Sequence, residues 1–239
     1  MFAVDAQADV WKSTDSGTTW ILVKDDYNGA DSNDVTEIIQ SKNKTMYIVV
    51  TQDIWKSTDS GAIWTKINDD YNGAEGQNSF VAAFDKNDVL YIVEGDQDVW
   101  ASNDYGISWT KVSTDFNGGN GNIFGIAVNS SNILFVVDNQ ADVWASFNNG
   151  STWSLMKDDY NVGAGNNADG MTIDPNDLIY ILDLQDVWKS TDSGATWTKI
   201  NDDFNGAGDS NNGQSIMADS NNNIYIVDGS TDFGNILWS

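Results

Sequence analysis

Ser13-Thr14-Asp15-Ser16-Gly17-Thr18-Thr19-Trp20 decides how this chain is read, because the stretch recurs. Its frame returns as Ser57, Asp59, Gly61 and Trp64, as Ser102, Asp104, Gly106 and Trp109, and as Ser190, Asp192, Gly194 and Trp197. Between the last two lies a variant copy, Ser146 to Trp153, with Phe147-Asn148-Asn149 where the first copy has Thr-Asp-Ser. From serine to serine the steps are 44, 45, 44 and 44 residues. A period of that length, with about four short strands per repeat, predicts an all-β propeller whose blades are four-stranded sheets. The chemistry of the stretch suits a tight hairpin. Glycine takes a positive φ without a Cβ penalty. Asp and Ser bond the turn's own backbone N–H groups, and the Trp covers the corner with a large apolar face. Asn148 keeps the acceptor and loses the charge, as a structural role permits.

Each copy follows an apolar run ending in Trp: Trp11, Trp55, Trp100, Trp144 and Trp188. The pattern S-x-D-x-G-x-x-W resembles the Asp-box, or BNR repeat, of sialidase-like propellers. That resemblance implies that each box joins the third and fourth strands of a blade, on the outer rim and away from the usual active site. In the strand order it implies, the first full blade has A near Val35 to Ser41, B Met46 to Thr51, C Asp53 to Ser57 and D Ile63 to Asn68. Later A strands fall near Phe80 to Asp85, Ile123 to Asn129, Gly170 to Asp174 and Gln214 to Asp219. The matching D strands end near Ser113, Lys157 and Asn201. B strands such as Leu134-Phe135-Val136-Val137 are apolar on both faces, as sheets covered on both sides require. A strands carry small residues, among them Ala82, Gly125, Ala127 and Gly170, as expected where strands converge.

The unbroken period favours a single domain over residues 1–239. Met1-Phe2-Ala3-Val4-Asp5 aligns with the B strand beginning at Leu134, so the first blade has B, C and D without A. The last has A, a B strand from Ile224 to Asp228 and a C-like Ile236-Leu237-Trp238-Ser239. Five blades are expected, or six if both incomplete ones stand separately. B and C strands are present once too often for a simple five-bladed ring. Strand exchange between copies, head to tail, would use the surplus.

The net charge is −25, from 36 acids against 11 lysines, with no arginine, histidine or cysteine. Such a surface repels nucleic acid and anionic membranes, and it lacks arginine forks for phosphate. Without cysteine there is no disulfide framework and no thiolate metal site. No apolar stretch is long enough to span a membrane, and the first residues are not a signal peptide, so an extracellular protein would have lost its signal before this numbering begins. Sequons at Asn43, Asn129 and Asn149 are chance matches in a chain this rich in Asn, Ser and Thr.

A second motif follows each D strand: Asp25-Asp26-Tyr27-Asn28, Asp69-Asp70-Tyr71-Asn72, Asp115-Phe116-Asn117, Asp158-Asp159-Tyr160-Asn161 and Asp202-Asp203-Phe204-Asn205. With the B–C turns it presents one face bearing five aromatics and a ring of carboxylates and amides. Three readings stand open. The aromatics plug the gaps between blades while the aspartates cap the loops. Alternatively Asp25, Asp26, Asp69, Asp70, Asp158, Asp159, Asp202 and Asp203 hold Ca²⁺, although no full D-x-D-x-D-G loop is present. In the third, Tyr27, Tyr71, Phe116, Tyr160 and Phe204 stack on sugars whose hydroxyls bond Asn28, Asn72, Asn117, Asn161 and Asn205, with avidity from repetition.

The Asp-box sialidases grip their substrate with an arginine triad, which this chain lacks. Histidine-dependent and cysteine-dependent hydrolysis are excluded too. A two-carboxylate glycosidase survives, but here the acids repeat with the blade whereas catalytic sites break symmetry. The expectation is a non-enzymatic extracellular scaffold or adhesion propeller that requires no cofactor, with calcium as the candidate ion. Its partners are further copies of itself or surface glycans, and the alternative function is a multivalent lectin.

Overall fold

The computed structural model describes residues 1–239 except 6, 30–34, 74–78, 119–121, 163–167, 205–211 and 229–239. Asn205 and the C-like Ile236 to Ser239 therefore lie outside the described residues. Among those described there are 21 strands and no helix. The chain divides into two compact units, Met1–Thr114 and Asp115–Ser239.

The first unit opens with a three-stranded sheet of β1 (Phe2–Val4), β2 (Val10–Lys12) and β3 (Ile21–Lys24). A four-stranded sheet follows: β4 (Val35–Gln40), β5 (Met46–Val50), β6 (Asp53–Ser57) and β7 (Thr65–Asn68). The next is β8 (Ser79–Phe84), β9 (Leu90–Glu94), β10 (Val99–Ser102) and β11 (Thr110–Ser113). The second unit has β12 (Ile123–Val128), β13 (Leu134–Asp138), β14 (Val143–Ser146) and β15 (Ser154–Lys157) in one sheet. Its second sheet is β16 (Ala168–Ile173), β17 (Ile179–Asp183), β18 (Asp186–Ser190) and β19 (Thr198–Asn201). It ends in a two-stranded sheet of β20 (Gly213–Ala218) and β21 (Ile224–Asp228). The fold class is an all-β, five-bladed propeller of antiparallel four-stranded sheets. Four blades are complete, and the remaining strands lie in the three-stranded and two-stranded sheets.

The B strands β5, β9, β13 and β17 are buried at every position, as their two-sided apolar pattern requires. Within each unit the core lies between successive sheets. Val10 and Tyr27 pack with Met46, Ile48 and Trp64, and Tyr47, Val49 and Ile54 pack with Leu90, Ile92 and Trp100. Each fully buried Ile or Val contributes at most about 1.5–3 kcal/mol of transfer free energy. Gly125 marks where two A strands meet most closely, since a Cβ there would lie 2.6 Å from the backbone nitrogen of Met171. At the A–B turns, the N–H groups of Lys42 and Ser130 donate to Asp88 (3.0 Å) and Asp177 (2.8 Å) of the following turn.

Two bulges recur with the blade. Every C–D ladder shifts register just before the C-strand tryptophan, as between Ile54 and Trp55 or Val99 and Trp100. The A–B ladders shift near the start of the A strand, passing over Thr36, Phe124 and Asp169. Bulges re-aim side chains, and here they aim the tryptophans.

Candidate functional site

The hairpin box sits between strands C and D in every repeat, where the resemblance puts it. In the second copy Ser57 Oγ donates to Asp59 (2.8 Å) and accepts from the Gly61 N–H (2.9 Å). Asp59 also accepts from the Ile63 N–H (2.9 Å), and Trp64 Nε1 donates to the Gly61 carbonyl (2.9 Å). The Ile63 N–H is thus taken by the turn, which is why β7 starts at Thr65 and not at Ile63. These donors hold Asp59 below the usual carboxylate range, the Ile63 N–H foremost. Asp15 and Asp192 are lowered likewise, by Thr19 and Thr196. Asn148 reproduces the geometry, accepting from the Thr152 N–H (2.9 Å) and donating to its hydroxyl (2.8 Å). Gly61 has φ +88°, and a Cβ there would lie 3.3 Å from Val10 Cγ1 of the preceding sheet, so the box is pressed onto its neighbour.

The loop motif is the other half of the same joint. The Tyr71 N–H donates to the Gln52 carbonyl (3.0 Å), docking the loop on the B–C turn of its own blade. Its ring then enters a slot formed by two tryptophans of the next blade, Trp100 (6.1 Å, edge-on) and the box residue Trp109 (5.1 Å). Tyr27 meets Trp55 (5.6 Å) and Trp64 (5.7 Å), and Tyr160 meets Trp188 (5.8 Å) and Trp197 (5.6 Å). Phe116, half-buried, is edge-on to Trp144 and stacks on Trp153 at 4.6 Å. Phe204 is buried among Leu182, Val187 and Ile216. Tyr27, Tyr71 and Tyr160 are only 3%, 6% and 1% exposed, so no ring face is offered to a pyranose. On these three the geometry corrects the sugar-stacking reading.

A buried acid, missed in the sequence reading, closes the joint. Glu94 ends β9 and is fully buried. It accepts from Tyr71 Oη (3.0 Å), from Asn72 Nδ2 and from Trp100 Nε1 (2.6 Å). Burial pushes its carboxyl up, against the pull of the three donors. Asp138 ends β13 in the same role, accepting from Trp144 Nε1 (3.1 Å) and Asn117 Nδ2 (3.4 Å). Asp183 accepts from Asn161 Nδ2 (2.7 Å), and Asp5 from Trp11 Nε1 (2.9 Å). Burial raises Asp138 and Asp183 as well. Asn72, Asn117 and Asn161 thus hold the chain's own carboxylates where the sequence reading had sugar hydroxyls. The signal that could have found the acids is an apolar B strand ending in Asp or Glu, at Asp5, Glu94, Asp138, Asp183 and Asp228. Val50 breaks the series, and no carboxylate accepts from the buried Tyr27 hydroxyl.

The paired aspartates also work within the fold. Asp69 and Asp202 are bridged by Lys66 (2.9 Å) and Lys199 (3.0 Å), which also hold Asp53 (2.7 Å) and Asp186 (2.6 Å). Those lysines lie over Trp55 and Trp188. Asp26, Asp70, Asp159 and Asp203 sit at φ +49°, +71°, +53° and +64°. The N–H groups of Asp26, Asp159 and Asp203 donate to Asp9 (2.8 Å), Asp142 (2.9 Å) and Asp186 (3.2 Å). Asp25 and Asp158 offer their carbonyls to Lys24 (2.7 Å) and Lys157 (2.9 Å). Among the described residues, the carboxylates that gather in threes within 4.8 Å are Glu94, Asp96 and Asp98. None of the eight candidate calcium ligands belongs to that group. Asp98 is paired with Lys111 (2.6 Å), and Glu94 already serves three donors.

Two acids on A strands stand apart from the joints. Burial pushes Glu37 of β4 up to about 7, with the Ala82 N–H pulling the other way. Asp169, in the bulge of β16, is raised to about 6 by burial and accepts from the Leu184 N–H at 2.7 Å.

Together, the sheets and their interlocked loops define a repeat β-propeller. The model of the Sortilin-Vps10 family ("Sortilin, neurotensin receptor 3") matches residues 52–180 and 97–235, and the chain belongs to that family. No curated protein matches it. Among solved structures, it is similar to a gluconolactonase from Xanthomonas campestris (TM-score 0.70, 12% identity, 98% of this chain and 82% of that one). It is also similar to a chain of a nidogen/laminin complex (0.70, 13%, 95% and 84%) and to YCF48 bound to D1 peptide (0.64, 14%, 100% and 73%). At these identities the likeness is one of fold. No described helix is long and apolar enough to cross a membrane.

Proposed function

We propose that the chain is a non-enzymatic extracellular scaffold of the Asp-box type, whose incomplete sheets are completed between copies, head to tail. One observation carries the reading: in the described repeats, most of the residues that could have formed a site are used in joints between sheets. Tyr27, Tyr71 and Tyr160 fill tryptophan slots, Asn72, Asn117 and Asn161 bond buried acids, and aspartates cap loops or pair with lysines. No cofactor enters this reading. The extension to self-assembly is supported by the sheet edges. β1 pairs with β2 alone and β21 with β20 alone among the described residues, and an unpaired edge recruits further strands. A surface of net charge −25 keeps single copies soluble while such pairing is selective.

The test is particle size. The intact chain should form long particles visible by electron microscopy, and deletion of residues 224–239 should leave mostly monomers. Monodisperse monomers from the intact chain at high concentration would sink the assembly. Turnover of any polysaccharide, abolished by Asp169→Asn, would replace the scaffold with an enzyme.

A further inference from the structure

We infer that Lys111 and Asp98 join in an isopeptide bond within the folded chain, with Asp96 as the acid–base group. Asp98 immediately precedes β10, and Lys111 lies on β11 opposite Trp100. Lys111 Nζ stands 2.6 Å from Asp98 Oδ2. The ammonium lies 4.9 Å from the centre of the Trp100 ring, which holds it from one side. Asp96 and Asp98 bring carboxylate oxygens within 4.8 Å of one another. Asp96 also accepts from the Asp98 N–H (3.3 Å), so its carboxyl is fixed against the residue that reacts.

Register and turn length bring nucleophile, electrophile and acid together in this sheet. In β3 and β15 the residue opposite the C-strand tryptophan is a leucine, Leu22 or Leu155. The turns before β2 and β14 match this one in length, but carry Gln7 and Gln140 where Asp96 stands. Lysine does face the tryptophan in β7 and β19, as Lys66 and Lys199. There the turn is one residue shorter and has no place for Asp96. Those ion pairs are also more open: the side chains of Asp53 and Asp186 are 31% and 24% exposed, against 6% for Asp98. Seclusion favours the amide, because burial strips hydration from a charged pair and the amide carries no charge. Fixed proximity does the rest, since the two groups need no encounter.

The step balances with water as its only by-product. The Lys111 ammonium passes one proton to a carboxylate oxygen of Asp98, leaving a neutral amine beside a carboxylic acid. The nitrogen lone pair attacks Asp98 Cγ, and a second proton moves from nitrogen to Asp96. Asp96 returns it to the departing hydroxyl, the C–O bond breaks, and water leaves. Burial raises the Asp96 carboxyl and the Asp98 charge adds to this, against the Asp98 N–H and Lys111, which suits it to hold a proton between the two transfers. The product ties the edge strand β11 covalently to the start of β10.

The test is intact-mass measurement of the purified folded chain incubated at neutral pH, followed by protease digestion and tandem mass spectrometry. The chain should be lighter by one water, and the loss should map to a peptide that links Asp98 to Lys111. Lys111→Arg, which keeps a cation beside Asp98 and Trp100, should restore the full mass. Asp96→Asn, which keeps the shape and removes the acid, should slow the loss by about a hundredfold. Lys66 and Lys199 should stay unlinked in the same sample, a control that stands even where a variant fails to fold. Full mass in the intact chain, a water loss that persists in Lys111→Arg, an unchanged rate in Asp96→Asn, or equal linkage at Lys66 or Lys199 would each overturn the assignment.

Discussion

Two joints of one design differ at the place of the buried acid. Where Tyr71 enters the slot of Trp100 and Trp109, Glu94 gathers the tyrosine hydroxyl, the asparagine amide and the indole N–H. Where Tyr27 enters the slot of Trp55 and Trp64, Val50 occupies the acid's place. Both tyrosines are buried to nearly the same degree. Ring burial therefore seats the loop, and the acid is a second layer that fixes orientation. The cost of that layer is a desolvated carboxyl, tolerable because three donors meet it.

The largest effect should come from turning one joint into the other. Glu94→Val leaves a tyrosine hydroxyl, an amide and an indole N–H buried without their acceptor. At about 1 kcal/mol or more per donor, the loss should be about 3 kcal/mol, read by urea denaturation. A loss under about 1 kcal/mol would mean that water replaces the acid and that the Val50 joint is the better model for both.

A second contrast sets the buried acids against the box aspartates, and it is read by pH. Glu37 (about 7), Asp169 (about 6), Glu94, Asp138 and Asp183 are raised by burial. The folded chain keeps protons on them that the unfolded chain releases near pH 4, so stability falls as pH rises from about 4 toward 7. Asp15, Asp59 and Asp192 are lowered by their turn donors, and their contribution is lost as pH falls through their folded values, below about 4. Melting temperature should therefore rise from pH 7.5 to about 5 and drop below about 4. A curve that climbs steadily from pH 5 to 7.5 would show that the buried acids are ionised at little cost.

What was legible in the sequence is the part written at short range. The box makes its bonds within four residues, as Ser57, Asp59, Gly61 and Ile63 do, so spacing alone exposed the hairpin and the period. The joint was not legible, because its halves sit far apart in the chain. Asn72 and Glu94 are 22 residues apart, and Lys66 and Asp53 are 13 apart, related only once the strands pair and the sheets stack. Polar residues that repeat on loops look like a ligand surface until the partner that consumes them is in place. The A strands show the converse: small residues such as Gly125 were readable as close approach, and Met171 is what approaches.

The smallest effect is the sharpest comparison, because it removes one oxygen from each joint and nothing else. Tyr71→Phe deletes the hydroxyl that donates to Glu94 at 3.0 Å while leaving the ring between Trp100 and Trp109. It should cost about 0.5–1.5 kcal/mol, the net contribution of a typical intramolecular hydrogen bond. Tyr27→Phe deletes a buried hydroxyl that no carboxylate accepts, so its removal should be neutral or slightly stabilising. Thermal or urea unfolding of the two variants side by side checks this, since ring, slot and burial are matched. Equal losses from both would place the value of the hydroxyl in packing and remove the acid from the account. A loss at Tyr71 that disappears in a Glu94→Val background would instead isolate the bond itself, because the cycle cancels everything but the pair.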